Sequence, residues 1–324
     1  MPTTTNNLVA EDHNLNKKPV VFIMGPTASG KTGLAIELVQ KYPFEIISVD
    51  SALIYKDMDI GTAKPTAEEL KIAPHHLIDF LDPSLSYSVA DFRADALAKI
   101  ENIHKRDKIP LLVGGTMLYH RALLYGLSQL PPSNAQIRES LNQLLADKGG
   151  DYLHQQLSLV DPVAAKRIHP NDPQRIQRAL EVYQITGIAM SVLQQQSQQQ
   201  ALGYPFYKMV IAPKNRERLR ERIAIRFEQM IKEGFIEEVK KLHQRGDLSL
   251  DLPSMRCVGY RQVWEYLENE LSYTEMLEKG INVTRQFAKR QMTWLRKEQD
   301  VLWLESEHHS NLQRVFSYIA EIVE

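Results

Sequence analysis

The chain has 324 residues, 43% of them hydrophobic, one cysteine (Cys257) and a formal net charge of −1. That is enough apolar material for a sizeable core in two lobes, too even a charge for a basic surface throughout, and too few thiols for an intramolecular disulfide framework, as suits a reducing cytosol. No apolar run is long enough to span a bilayer, and the polar residues 1–18 lack the apolar centre of a signal peptide, so they read as a loose tail on a soluble cytoplasmic protein with no membrane partner.

The first element is Val20-Val21-Phe22-Ile23-Met24, a β-rich apolar run suited to a buried parallel strand. It runs into Gly25-Pro26-Thr27-Ala28-Ser29-Gly30-Lys31-Thr32, which fits G-x-x-x-x-G-K-[ST], the phosphate-cradling P-loop. Leu34, Ala35, Leu38 and Val39 then recur at helical spacing, completing the strand, loop and helix that the motif requires. The glycines let the backbone close round an anion, and the helix start offers N–H groups and a positive dipole end. Lys31 adds a charge, and the Thr32 hydroxyl is placed to hold Mg²⁺. The loop names a polyphosphate without saying which.

A second strand, Glu45-Ile46-Ile47-Ser48-Val49, ends at Asp50-Ser51. In an open α/β sheet the carboxyl ends of strands line the ligand crevice, which turns Asp50 toward Lys31; a turn or helix cap is the other use of an Asp there. Gly61-Thr62-Ala63-Lys64-Pro65 reads as a loop with one cation. His75-His76 has no Cys/His cluster around it and suits a structural or surface role better than a metal site. A helix is expected from Val89 to His104, with Phe92, Ala96, Leu97 and Ile100 on one face. The third strand, Ile109-Pro110-Leu111-Leu112-Val113, runs into Gly114-Gly115-Thr116, where a P-loop NTPase often carries a metal-binding Asp. The missing carboxylate speaks against an ordinary ATPase. The glycines admit a ligand close to the backbone, and Thr116 offers a hydroxyl without charge.

From about Gly126 the character changes. Leu130-Pro131-Pro132-Ser133 is a linker signal. Ile137, Leu141, Leu144 and Leu145 form a helical stripe, and Asp172-Pro173 is a cap followed by proline at the first helical position. In that helix Ile176, Leu180 and Tyr183 share a face, Gln174, Gln177 and Arg178 project from the other side, and Arg175 lies on the flank. The tract from Gln194 to Gln200, broken by Ser197, has nothing to bury and reads as flexible or solvent-facing. The whole segment is a helical insert.

Tyr207-Lys208-Met209-Val210-Ile211-Ala212 returns to the core as a strand. Arg216, Arg218, Arg220, Arg222 and Arg226 then crowd together among glutamates, which suits an exposed salt-bridged helix as well as a binding face. The run from Thr284 to Lys297 mixes cations, amides and aromatics in the manner of phosphate contacts and base stacking. Phe287 and Trp294, seven apart, equally suit a core face. From Asn311 the pattern is an amphipathic helix with no evident chemistry.

Taken together, the P-loop; Asp50-Ser51-Ala52-Leu53 with Tyr55; Ile60-Gly61-Thr62-Ala63-Lys64-Pro65; Gly114-Gly115-Thr116 with Tyr119; Asp172-Pro173-Gln174-Arg175-Ile176-Gln177-Arg178-Ala179-Leu180-Glu181; Arg256-Cys257-Val258-Gly259-Tyr260-Arg261; and Lys289-Arg290-Gln291-Met292-Thr293-Trp294-Leu295-Arg296 form an ordered series. The series resembles the tRNA dimethylallyltransferases, the bacterial-type tRNA isopentenyltransferases of the IPP transferase family, over residues 19–305. One P-loop is shared by many enzymes; the combination is specific, and no motif position departs from it.

The resemblance implies an α/β fold with a P-loop NTPase-like parallel-sheet core over residues 19–125 and 203–310. It implies a helical insert domain, 126–202, that binds the anticodon stem-loop, and a C-terminal helix over 311–324. The implied reaction moves a dimethylallyl group from dimethylallyl diphosphate to N6 of the adenosine 3′ of the anticodon, in tRNAs reading codons that begin with U. Mg²⁺ is the implied cofactor, and the implied enzyme is a monomer with no obligate protein partner. Gly25 to Thr32 would cradle the diphosphate, with Lys31, the metal-holding Thr32 and Arg226 neutralising it. Asp50 would take the N6 proton, and Thr116 would hold the base. Contacts to tRNA are implied for Asp50, Ser51, Ala52, Leu53, Thr116, Arg138, Gln174, Arg175, Ile176, Gln177 and Arg178, for Arg256, Cys257, Val258, Gly259, Tyr260 and Arg261, and for Lys289 through Arg296.

Elementary chemistry agrees with that implication. An allyl cation develops only as negative charge leaves with the diphosphate, and a P-loop is built to hold that charge. Adenine N6 is a poor nucleophile because its lone pair is delocalised, so a carboxylate that takes its proton helps. The base must also leave the anticodon stack. Two other classes share part of the pattern. A small-molecule kinase shares the loop and the Asp, but has no use for Gly114-Gly115-Thr116 or the C-terminal cluster. A passive RNA-binding or nucleotide-switch protein does not need Lys31, Thr32 and Asp50 together.

Overall fold

The computed structural model describes residues 18–196 and 201–323; the tail before them and residues 197–200 of the glutamine tract lie outside the described residues. Two compact units divide the chain, one running to Leu124 and resuming at Leu202, the other spanning Tyr125–Ala201.

The first unit starts with β1 (Val20–Met24), apolar throughout and buried at every position. A strand with no polar face belongs in the middle of a parallel sheet. It is followed by α1 (Lys31–Lys41), β2 (Phe44–Ser48), α2 (Ala67–Ile72), β3 (His75–His76), α3 (Val89–His104), β4 (Ile109–Gly114) and α4 (Met117–Tyr125). Alternation along β1 divides the core in two. Val20, Phe22 and Met24 pack with Phe92 and Ala96 of α3 and Leu123 of α4. Val21 and Ile23 face Leu34, Ala35 and Leu38 of α1. Ser88 and Asp91 close a capping box at the start of α3, which fixes the expected helix start.

The Tyr125–Ala201 unit holds α5 (Ala135–Val160), α6 (Pro162–Arg167), α7 (Pro173–Thr186) and α8 (Met190–Gln196). Its core gathers Leu141, Leu153, Leu157, Ile176, Ala179, Leu180 and Met190. Buried Asp161 ties α6 to α8, accepting hydrogen bonds from Ala164 N at 2.9 Å and from Ser191 N and Oγ at 2.9 and 2.6 Å. Asp172 caps α7 through Arg175 N, with Pro173 next to it, as the sequence predicts. At the near end of the glutamine tract Gln194 to Gln196 continue α8; Gln195 and Gln196 face solvent, one of the two expectations for this tract, and Gln194 accepts from Arg167.

The first unit resumes with β5 (Phe206–Ala212), α9 (Arg216–Lys232), α10 (Phe235–His243), α11 (Tyr260–Leu267), α12 (Tyr273–Leu295), β6 (Leu302–Glu305) and α13 (Asn311–Val323). Helices α9 to α12 enclose a third core with Ile54, Tyr55 and Met58 from the loop after β2. The six-stranded sheet has the order β3-β2-β4-β1-β5-β6, every pairing parallel. It confirms the α/β parallel-sheet core. Because β4 lies between β2 and β1, the segments after these three strands meet at one edge. Those segments are the P-loop, Asp50 and Gly114-Gly115-Thr116.

His75-His76 forms β3, pairing with Ile46 and Ile47. His76 Nε2 lies 3.0 Å from Glu45, and among the described residues no group of three or more His, Cys, Asp or Glu side chains gathers to hold a metal. On α12 the buried face is Ala288, Gln291 and Leu295. Phe287 is half-buried and Trp294 is 39% exposed, so the apolar seven-residue pair is not the core face.

Candidate active site

The P-loop leaves β1 and enters α1 through two left-handed residues, Ala28 (φ 60°) and Gly30 (φ 90°). These turns direct successive backbone N–H groups inward, the geometry of an anion nest. A side chain at Gly25 would put its Cβ 2.3 Å from the Ile211 carbonyl, so only glycine lets the loop lie this close to β5. No side chain among the described residues caps the start of α1, and its first N–H groups face the loop. Ser29 is fully buried, and its Oγ has no hydrogen-bond partner among the described residues. Lys31 Nζ donates to the Pro26 carbonyl at 2.7 Å. Burial pulls the Lys31 ammonium down to about 7, with the Asp50 charge raising it and the Arg226 charge lowering it further.

That coupling places Asp50 and Arg226 at the mouth of the loop with Lys31. Asp50 follows β2; its Oδ1 accepts from Ala52 N at 2.9 Å, and Oδ2 has no hydrogen bond among the described residues. Ser51 N donates to Thr116 Oγ1 at 3.1 Å, so the residues after β2 and β4 hold one another in register. A Cβ on Gly114 would sit 2.0 Å from the Val49 carbonyl, which accounts for glycine at that crossing. Arg226 reaches the site from α9, where burial lowers the guanidinium, Asp50 raises it and Arg222 lowers it. Burial pushes the Cys257 thiol up to about 12, and the Asp50 carboxylate adds to the effect.

The other sequence-selected residues separate by surroundings. Gln174, Arg175, Arg256, Lys289, Arg290, Thr293, Trp294 and Arg296 are exposed, and Arg121 lies over the Trp294 ring at 5.3 Å. Gln177, Cys257, Val258, Arg261 and Met292 are half-buried. Ile176, Gly259, Tyr260 and Leu295 are buried. Arg138 and Arg178 both bind buried Glu181, and Arg178 also donates to the Pro131 carbonyl at 2.6 Å. They pin the linker before α5 onto α7. Gln291 is buried as well, and its amide clamps the site: Thr27 N donates to Oε1 at 2.9 Å and Nε2 donates to the Gly115 carbonyl at 2.8 Å.

Sequence reasoning missed that clamp, and it missed Ser306, whose Oγ donates to the Ser29 carbonyl at 2.7 Å. Their bonds join residues 176 to 277 positions apart in the chain, so no local pattern could announce them.

An α/β sheet that brings an anion nest, a lysine, an arginine and a carboxylate to one crevice defines an enzyme that transfers a group from a phosphorylated donor. Comparison with known proteins narrows the class. The family described as IPP transferase matches residues 53–298. The chain is similar to the full-length tRNA isopentenylpyrophosphate transferase of Bacillus halodurans, with 37% identity over 95% of this chain and 97% of that one and a TM-score of 0.69. It is similar to the tRNA delta(2)-isopentenylpyrophosphate transferase of Staphylococcus epidermidis, with 35% identity over 94% and 99% and a TM-score of 0.68. A eukaryotic dimethylallyltransferase acting on tRNA gives 28% identity over 94% and 77% and a TM-score of 0.77. The chain belongs to the IPP transferase family, the prenyltransferases that act on tRNA. No helix among the described residues is long and apolar enough to cross a membrane.

Proposed function

We propose that the protein transfers a dimethylallyl group from dimethylallyl diphosphate to N6 of the adenosine 3′ of the anticodon in tRNAs reading codons that begin with U. The observation that carries this reading is the convergence of one carboxylate, Asp50, with two cations, Lys31 and Arg226, at the mouth of the P-loop. The cations and the nest suit a diphosphate; the carboxylate suits an acceptor that must lose a proton. The C–O bond of the donor breaks, the N6–C bond forms, the diphosphate leaves into the nest, and the N6 proton passes to Asp50 Oδ2. Thr116, tied to Ser51, keeps the carboxylate loop and the acceptor in register. Exposed Lys289, Arg290, Arg296 and Trp294 suit phosphate contacts and stacking on splayed bases.

The residues fit a divalent cation of the hard, oxygen-seeking kind. Thr32 Oγ1 is exposed on the first turn of α1, and the described residues offer no caging cluster of acids. Mg²⁺ commonly takes one or two protein oxygens and completes its shell with water and phosphate. Thr32 would hold it, and the ion would supply charge neutralisation on the leaving diphosphate.

The test is a mass-spectrometric assay on an unmodified anticodon stem-loop with Mg²⁺, supplied with dimethylallyl diphosphate or with ATP. One five-carbon unit on the adenosine 3′ of the anticodon, with the diphosphate alone, is expected. ATP consumption without RNA modification would overturn the reading in favour of a kinase. Size-exclusion chromatography with light scattering should return a monomer.

A further inference from the structure

Arg226 accounts for one side of the crevice, but α9 carries a second cation toward the loop. Arg222 stands one helical turn before Arg226, on the same face, beside the buried row Leu219, Ile223 and Phe227. Its Nη2 is the atom nearest to where a Cβ on Gly30 would stand, at 3.6 Å. Gly30 is the residue before α1, so this guanidinium lies over the uncapped helix start. Its ion pair is with Glu307, at 3.7 Å, and Glu307 is itself held at 2.8 Å by Arg218. A long, half-exposed pair of this kind contributes little to stability and exchanges readily for a better anion.

We propose that Arg222 is a second arginine of the diphosphate site, taking the phosphoryl group over the α1 N-terminus while Arg226 takes the one beside Asp50, and that Glu307 is the counter-charge it gives up on binding. The inference rests on the diphosphate reading above and extends it. A diphosphate has two phosphoryl groups, and two guanidiniums at successive turns of one helix match them. Ser306 and Glu307 are adjacent, so one turn after β6 both holds the P-loop, through the Ser29 carbonyl, and parks the arginine.

Titration calorimetry with inorganic pyrophosphate and Mg²⁺ tests this on the full chain. Arg222→Ala should weaken pyrophosphate by about 10-fold or more, as for a lost charged hydrogen bond, and leave anticodon stem-loop affinity within about two-fold. Arg222→Lys should recover part of the loss, since a point charge lacks the fork. Glu307→Gln should tighten pyrophosphate by a few-fold, because the competing carboxylate is gone. If Arg226→Ala weakens pyrophosphate while Arg222→Ala and Arg222→Lys do not, the second arginine is refuted and the diphosphate site stands. Loss of stem-loop affinity with unchanged pyrophosphate would reassign Arg222 to the RNA. Should neither arginine matter to pyrophosphate, the diphosphate reading itself fails.

Discussion

Asp50 is held by one oxygen and open at the other, and that asymmetry decides what its loss should do. Oδ1 serves the turn through Ala52 N, Oδ2 has no hydrogen bond among the described residues, and the carboxylate raises the pKa of both Lys31 and Arg226. Asp50→Ala should lower turnover by about 10²–10⁴-fold, the usual contribution of a positioned general base, and shift stem-loop affinity only a few-fold. Single-turnover rates beside equilibrium binding separate the two; an affinity loss as large as the rate loss would end the general-base assignment. Gln291 makes the opposite kind of claim. Its amide donates to one strand end and accepts from the P-loop, so Gln291→Glu sets an acceptor against the Gly115 carbonyl in a buried place. Urea unfolding should register a loss of about 1–3 kcal/mol, the cost of an unsatisfied buried polar pair. A stability within error of the wild type would mean that the clamp is dispensable.

At the scale of elements, α9 is useful only if it lies close to α12 and is turned correctly. Gly280 of α12 makes that approach possible: a Cβ there would fall 2.2 Å from the Phe227 ring of α9. Gly280→Ala should cost about 1–3 kcal/mol by overpacking and raise the KM for the prenyl donor, because any turn of α9 carries Arg226 away from Asp50. A destabilised variant with unchanged donor KM would show that α9 absorbs the strain without moving its arginines. The same helices show what local sequence can carry. The P-loop, the apolar face of the helix from Val89 and Asp172-Pro173 announce themselves within a few residues, because their signals are local. The Arg216–Arg226 crowd did not sort itself, since which arginine faces the loop depends on how α9 rolls against Phe235, Tyr260 and Gly280. Strand β6 passed unnoticed for a related reason: four residues with Trp303 exposed become a strand only by pairing with β5.

At the scale of the whole molecule, the site is tied to the core by a histidine that must stay neutral. His120 is fully buried on α4, its Nε2 3.2 Å from the Gly114 carbonyl, its Nδ1 without a partner among the described residues and its ring edge-on to Phe22. Burial pulls its pKa from 6.5 down to about 4; the Gly114 bond resists that, and the Lys31 charge adds to it. Between those two pH values the unfolded chain binds the proton that the folded chain refuses. Stability therefore rises with pH through the window, is fully present above 6.5, and is lost as pH falls through 4. The shift corresponds to about 3 kcal/mol at most. Burial pushes His75 and His104 the same way, so His120 is one contributor to this window. Glu45 acts separately. Against burial, its bonds from Arg106, His76 and Lys108 hold it at about 2, so its contribution disappears only below 4.5. His120→Phe keeps the ring against Phe22 and removes the proton. Urea melts at pH 7, 5.5 and 4.5 should show the wild type losing stability across the series and the variant losing clearly less, with the two converging below pH 4 in slope. Parallel losses at all three pH values would mean that the His120 proton is not part of the acid response, and that the crevice under the P-loop tolerates a charge there.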